Sequence, residues 1–445
     1  MARRNTGYAT VSRGLSSRPK AWLMGLALVS LAIVSIPLVY LGVRAGAIPF
    51  AQIVEILSRP QVATLALNTI ALALSVSLSA LTLGTMIAGI LQRLRIGANR
   101  MWLLISALPL AVPSYLASYG WLVVTPGVHG FFPSYVLLTA VTIPYVTLPV
   151  AAALRGTSAD AEAVARTLGR GPVAAFWQVT WPRVRPAAIA GALLVFLYTL
   201  SDFGLVAMLR FPTLTWGVQQ AYASSFDRSQ ASILALLLVV IAFIVVIAER
   251  SARGLVSPTT SAQSPKEPIS RLTRLFVVSL VALPPLVGVV VPLVGLGIRL
   301  ITADTLRAID GSRLLVATGT TIGVALAAAV VALALALPIA AIAARYVTKW
   351  SGVLESLGYL SHALPGIVVG LSLVFFSLAV VPALYQTFII LVFAYAVLFM
   401  PKALGTARAS IEAVSPDLVH VARTLGATPF SAWRRVTLPL ALPGL

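Results

Sequence analysis

Long uncharged stretches separated by short clusters of arginine and lysine set the rhythm of this chain. Stretches near 21 to 43, 62 to 92, 101 to 126, 131 to 154, 187 to 209, 229 to 248, 275 to 298 and 314 to 344 run for 20 to 31 residues and hold no charged side chain except Asp202. About 20 residues at ~1.5 Å each cross the hydrocarbon core, so each stretch predicts a transmembrane helix. The uncharged stretch from 356 to 401 is too long for one crossing, and Val380-Val381-Pro382 predicts its division into two helices. Ten spans result. The first reads as a retained anchor, although Ala45-Gly46-Ala47 imitates a signal cleavage site.

Composition agrees, with 59% hydrophobic against 10% charged residues, which excludes a cytosolic enzyme, a secreted protein and a disordered scaffold. The net charge of +20 would suggest nucleic acid in a soluble protein. Here the basic residues fall in short loops: with a cytoplasmic N-terminus, 25 of the 32 lie on the cytoplasmic side and 7 opposite. That asymmetry is the positive-inside bias, and it calls for no nucleic-acid partner. There is no Cys, and the three His, at 129, 362 and 420, lack ligand spacing, so no metal site is expected.

A duplication organises the chain. Val164-Ala165-Arg166-Thr167-Leu168-Gly169 recurs as Val421-Ala422-Arg423-Thr424-Leu425-Gly426, 257 residues on, and Asp160, Pro172, Thr180, Pro182 and Pro186 recur as Asp417, Pro429, Thr437, Pro439 and Pro443. Both copies face the same side, which makes the repeat parallel. The expected layout is a cytoplasmic tail (1–20), a first half (21–250) with a polar loop at 155–186, a cytoplasmic linker (251–274) containing Ser257 to Pro265, and a second half (275–445) with its loop at 403–445. Within each loop a short helix closes near Leu168 or Leu425, Gly169 or Gly426 suits a left-handed cap, and Pro172 or Pro429 suits the first turn of a second helix, with Thr428 as its N-cap. The knob carries Leu168, Phe176 and Trp177, or Leu425, Phe430 and Trp433, among arginines. Such a surface suits a groove on a partner protein; an amphipathic element lying on anionic lipid is the other reading.

At these residues the chain resembles the inner-membrane permeases of binding-protein-dependent ABC importers, whose cytoplasmic signature is Glu-Ala-Ala, three residues, Gly, nine residues, Ile, one residue, Leu-Pro. The copies here read Ala163-Val164-Ala165, Gly169, Val179, Trp181-Pro182 and His420-Val421-Ala422, Gly426, Val436, Leu438-Pro439. The spacing is kept, but Ala163 and His420 replace the signature Glu. The resemblance implies an all-α polytopic protein of two parallel-repeat permease halves with the type I ABC importer permease fold, ten spans of an expected twelve. It implies a multi-pass protein of a bacterial inner membrane. Leu108 to Tyr115 and Ser201-Asp202-Phe203-Gly204 give a further likeness to the ferric-iron type, with fused permeases for thiamine or aminoethylphosphonate as alternatives. Implied partners are a periplasmic substrate-binding protein and a cytoplasmic ABC ATPase, in two copies, carrying ATP and Mg. The coupling residues carried over are Ala163, Ala165, Arg166, Leu168, Gly169, Phe176 and Pro182, then His420, Ala422, Arg423, Leu425, Gly426, Trp433 and Pro439.

A phosphate-binding loop needs Gly-Lys-Ser/Thr, and the four lysines, Lys20, Lys266, Lys349 and Lys402, follow Pro, Pro, Thr and Pro. No ATP site and no cofactor are therefore expected in this chain, which reads as a transport subunit and not an enzyme. A proton- or sodium-coupled transporter is a second functional class, and a membrane scaffold without transport a third; the coupled transporter would carry a relay of intramembrane carboxylates or histidines, and Asp202 stands almost alone. Asp202 reads either as lining a cation path or as a gate or packing residue bonded to Ser201 or Tyr198. Pro109, Ser114, Tyr115 and Pro365 are further path candidates, the prolines as kinks that free carbonyls inside helices. At the 257-residue offset Asp202 would pair with a position beyond Leu445, which predicts two further helices and a natural chain about 80 to 100 residues longer at ~20 residues per span with loops.

Overall fold

The computed structural model describes residues 19, 21–155, 159–223, 228–252, 268–302, 310–346, 348–359 and 364–442. The N-terminal tail other than residue 19, most of the Ser/Pro-rich linker, and Pro443 lie outside them, as do the side chains of Ala163, Pro172 and Pro429. Every regular element among the described residues is helical. Helix α1 (Ala21–Gly46) is followed by α2 (Phe50–Ser58), α3 (Pro60–Arg93), α4 (Asn99–Ala107), α5 (Ser114–Val124), α6 (Phe131–Thr142) and α7 (Pro144–Arg155). The first repeated loop holds α8 (Ala159–Thr167) and α9 (Pro172–Ala175), and α10 (Trp181–Ser201), α11 (Gly204–Met208), α12 (Leu214–Ala223) and α13 (Arg228–Ala252) follow it. Then come α14 (Arg271–Pro285), α15 (Val291–Thr302), α16 (Gly311–Arg345), α17 (Lys349–Gly358), α18 (Gly366–Val380) and α19 (Phe388–Ala413). The second loop holds α20 (Pro416–Thr424) and α21 (Pro429–Ala432), and α22 (Leu438–Ala441) ends the described helices.

Among the described residues eight helical runs are long and apolar enough to cross a membrane, and the pair Asn99–Ala111 with Ser114–Val124, bent by 91°, makes a ninth if it counts as one span. The tenth stretch read from the sequence is α18, only 15 residues long, about 22 Å at 1.5 Å per residue. The division of 356 to 401 falls where expected, between α18 and the turn at Pro382.

Two expected continuous spans are broken. The 101 to 126 stretch stops in a 3₁₀ turn at Leu108–Ala111 and restarts with Pro113 as N-cap of α5, φ −58° and ψ 136°. Proline supplies no N–H and forces Val112 before it into an extended conformation, so these prolines end and begin helices where kinks were expected. Pro365 does the same for α18, with φ −60° and ψ 143°. The 187 to 209 stretch ends at Ser201, and Asp202 adopts an extended conformation after it. Its carboxylate accepts the N–H of Leu205 at 3.0 Å, which starts α11: a short acid competes for backbone donors better than it continues a helix.

Irregular backbone at this depth needs partners from the protein. Asn68 on α3 donates to the Pro212 carbonyl at 2.9 Å, Thr69 accepts the Leu214 N–H at 2.8 Å, and Thr215 donates to the Asp202 carbonyl at 2.8 Å.

The described residues group into two compact units, Arg44–Arg307 and Met1–Val43 with Ala308–Leu445. In the first, α3, α7 and α10 pack around Leu72, Val76, Ile87, Val146, Val150, Val184 and Val195. Helix α15 also belongs to this unit and lies against α5 so closely that a Cβ on Gly120 would stand 2.3 Å from the Pro292 carbonyl oxygen, and one on Gly295 2.0 Å from that of Gly120. A π turn at Leu286–Val290 precedes α15, in which the Val291 N–H reaches back to the Leu286 carbonyl. The next donor in that pattern would be Pro292, which has none, and the Val287 carbonyl is taken instead by the indole N–H of Trp121 at 2.8 Å. In the second unit α16 packs along α19, Tyr40 of α1 meets Phe376 edge-on at 5.8 Å, and Thr348 and Ser351 form a capping box at the start of α17.

Candidate functional site

The repeated loops adopt the same backbone. In the first, Gly169 at φ +83° follows α8, the Arg170 N–H reaches the Ala165 carbonyl at 3.1 Å, and the Gly169 N–H reaches that of Arg166 at 3.0 Å. In the second, Gly426 stands at φ +86°, Ala427 bonds to Ala422 at 3.0 Å, and Gly426 to Arg423 at 3.1 Å. Both are Schellman turns, which satisfy the last helical carbonyls and need a residue that accepts a left-handed conformation. The Ser431 N–H bonds to the Thr428 hydroxyl at 3.2 Å, so Thr428 caps α21 as its sequence predicts. After the short second helix each loop passes through a five-residue π turn, Phe176–Thr180 and Trp433–Thr437, at the same 257-residue offset.

The turn projects a leucine into solvent: Leu168 is 76% exposed and Leu425 82%. Val164, Trp177, Val421 and Phe430 are exposed beside them, and Trp433 stacks on Phe430 at 6.4 Å. Arg166, Arg423 and His420 are also at the surface, as are Pro182 and Pro439, while Ala165 is buried and Ala422 half-buried. Each loop therefore presents exposed apolar side chains beside arginines at the surface.

The sequence reading missed what anchors the first loop. Arg93, the last residue of α3, forms a bidentate pair with Glu162 of α8 at 3.1 and 2.6 Å and donates to Thr180 at 2.9 Å. Thr180 donates to Glu162 at 2.8 Å, and the Arg93 guanidinium lies 5.6 Å from the centre of the Phe176 ring. Glu162 and Asp160 are the only acids of the 155–186 loop; that was the available signal. In the second unit Arg408 of α19 pairs instead with Glu355 of α17 and with Glu412 at 2.8 Å.

Of the path candidates, Ser114 and Asp202 come together: the Ser114 hydroxyl donates to one carboxylate oxygen of Asp202 while Leu205 occupies the other. Of the two partners expected for it, Ser201 donates instead to the Leu197 and Tyr198 carbonyls, while the Tyr198 side chain lies beside the Ser114–Asp202 pair. Asp202 is 9% exposed, so it ties the start of α5 to the end of α10. Tyr115 is half-exposed, and Pro109 and Pro365 are buried. Among the described residues no group of three or more His, Cys, Asp or Glu could hold a metal ion.

A family profile described as the binding-protein-dependent transport system inner membrane component matches residues 80–252 and 336–445, which take in both loops. The chain is 32% identical over 96% of its length to the Fe(3+)-transport system permease protein FbpB 2 of Haemophilus influenzae, covering 86% of that protein. It is 28% identical over 51% of its length to the molybdenum transport system permease protein ModB of Mycobacterium tuberculosis, covering 92% of it. A third relative, the thiamine transport system permease protein ThiP of Escherichia coli, is 27% identical over 63% of this chain and 56% of its own. With its repeated loop, its apolar helices and these matches, the chain belongs to the inner membrane components of binding-protein-dependent transport systems.

Proposed function

We propose that this multi-pass inner-membrane permease subunit carries ferric iron from a periplasmic binding protein to the cytoplasm, driven by two copies of an ABC ATPase docked on the repeated loops. ATP and Mg²⁺ bind that ATPase. The N-terminus and both loops lie on the cytoplasmic side, where most of the basic residues are. The observation that carries the docking is the pair of superimposable turns that hold Leu168 and Leu425 out in solvent. Burying one such leucine in a partner groove is worth about 1.5–3 kcal/mol. The identity to a ferric-iron permease over nearly the whole chain supports the substrate. Ser114 and Asp202 then act on the path through structure: they hold the break in the membrane helices that opening and closing must move.

The test is uptake of Fe³⁺, molybdate and thiamine by cells carrying this chain with its ATPase and binding protein. Fe³⁺ should be taken up and the other two not; uptake of molybdate or thiamine in its place defeats the substrate reading. Leu168→Asp with Leu425→Asp should abolish ATPase copurification while membrane insertion persists, and retained copurification defeats the docking reading.

A further inference from the structure

The two loops share a backbone but are tied differently to their long helices. Arg93 ends α3 and Arg345 ends α16, and each precedes an extended residue, Leu94 or Tyr346, whose N–H returns to Ile90 or Ile342. At α3 the guanidinium gathers Glu162, Thr180 and Phe176 into one cluster. At α16 the threonine is kept, as the buried Thr437, but Val419 stands where Glu162 would be; the acid that acts on Arg345 is Glu412 of α19, and Nη2 of Arg345 is buried without a hydrogen-bond partner.

We propose that Glu162 is a positioning residue for coupling, which makes the first loop a stiff lever on α3, while the second loop, with Val419 in its place, rides loosely on α16. The coupling role rests on the reading of the loops as ATPase docking elements. Three hydrogen bonds that include a bidentate ionic pair join α8 and the π turn to the end of α3, so a push on α8 is passed to the helix without slack. Glu162 precedes Ala163, the signature position, by one residue, a rotation of about 100° around the helix, so the signature assigns it nothing.

Hydrogen–deuterium exchange of the full chain in lipid nanodiscs reads the tie without any ATPase. Amides of Ala159–Thr167 should exchange about tenfold more slowly than those of Pro416–Thr424, the effect expected of hydrogen bonds to a charged group. Glu162→Gln should remove most of that difference, and Val419→Glu should slow the second loop. Equal exchange in the two wild-type loops, or indifference to Glu162→Gln, overturns the tie. In the assembled importer Glu162→Gln should leave ATPase copurification unchanged while Fe³⁺ uptake per ATP hydrolysed falls several-fold, and Arg93→Glu with Glu162→Arg should restore part of it. Unchanged uptake per ATP overturns the lever, and so does lost copurification, which would make Glu162 part of the docking surface. Failure of the docking reading shows separately, as an ATPase still bound to the Leu168→Asp, Leu425→Asp protein, and leaves the exchange result standing.

Discussion

The loops at Gly169 and Gly426 differ less in their own shape than in what surrounds them. Their turns match bond for bond, yet one is fastened to the preceding long helix by Arg93 and Glu162, whereas near the other the charged contacts join Arg408 to Glu355 and Glu412. The same contrast recurs at the broken spans. Pro113 and Pro365 start α5 and α18 alike, but Ser114 after the first is held by Asp202, and Gly366 after the second offers no side chain to hold. Both copies keep the glycine and prolines that set backbone geometry and the threonine of the tie, but Glu162 has Val419 at the matching position.

The largest effect expected on this comparison comes from the shared turn. A β-branched residue is strained at φ near +85° by about 1–2 kcal/mol and tilts the helix that follows. Gly169→Val with Gly426→Val should reduce Fe³⁺ uptake to background at normal expression. The single mutants then rank the loops, and the first, tied to α3 through Arg93 and Glu162, should be the more sensitive. Wild-type uptake by the double mutant would remove both loops from the mechanism.

Asp202→Ala should come next. It frees the Ser114 hydroxyl and the Leu205 N–H in a buried setting, at a cost of about 1–3 kcal/mol. The first break would then resemble the second, and thermal unfolding in detergent should show the loss. Asp202→Asn keeps one acceptor, so it should lose less stability and less uptake than Asp202→Ala; a loss of uptake with stability intact would show a role for the charge beyond holding the break.

Arg408→Ala should destabilise the α17–α19 contact by about 1 kcal/mol, since the guanidinium is 36% exposed and water screens part of its attraction to Glu355 and Glu412. The first unit should be untouched, as limited proteolysis can show. The smallest effect concerns how the two long helices begin. Helix α3 opens on Pro60 with no side-chain cap, while Asp310 caps α16 through the N–H groups of Ser312 and Arg313. The Ser312 hydroxyl, then the Arg313 N–H, hold the Asp310 carboxyl below the usual carboxylate range. A depressed value means the cap is present at neutral pH and is lost as pH falls below about 4. Protection of the Ser312 and Arg313 amides, taken relative to their intrinsic exchange rate at each pH, should fall there, and Asp310→Ala should show the same loss of protection at neutral pH.

How much could be read from the sequence follows from what each signal measures. Uncharged length located the membrane helices because the bilayer imposes it on each segment separately, and glycine and proline spacing foretold both turns because those residues act on their own backbone. The breaks at Pro113 and after Ser201 were read as continuous helix because length says nothing of where a chain stops bonding to itself. Glu162 was passed over because its partners lie 69 and 18 residues away, and a pairing over such distances leaves no local pattern. Ser114 and Asp202 were both singled out, yet their meeting was not, for the same reason.

One consequence follows from the fit of α5 against α15. The bare backbones at Gly120 and Gly295 and the indole of Trp121 on the Val287 carbonyl act like meshed gear teeth. Rotation of one helix without the other would lift a tooth from its slot and leave the Val287 carbonyl without the indole that answers it. A helix encoded after the linker is thus locked to one encoded before it. Any rocking of α5 during a transport cycle must carry α15 with it, as a single moving part.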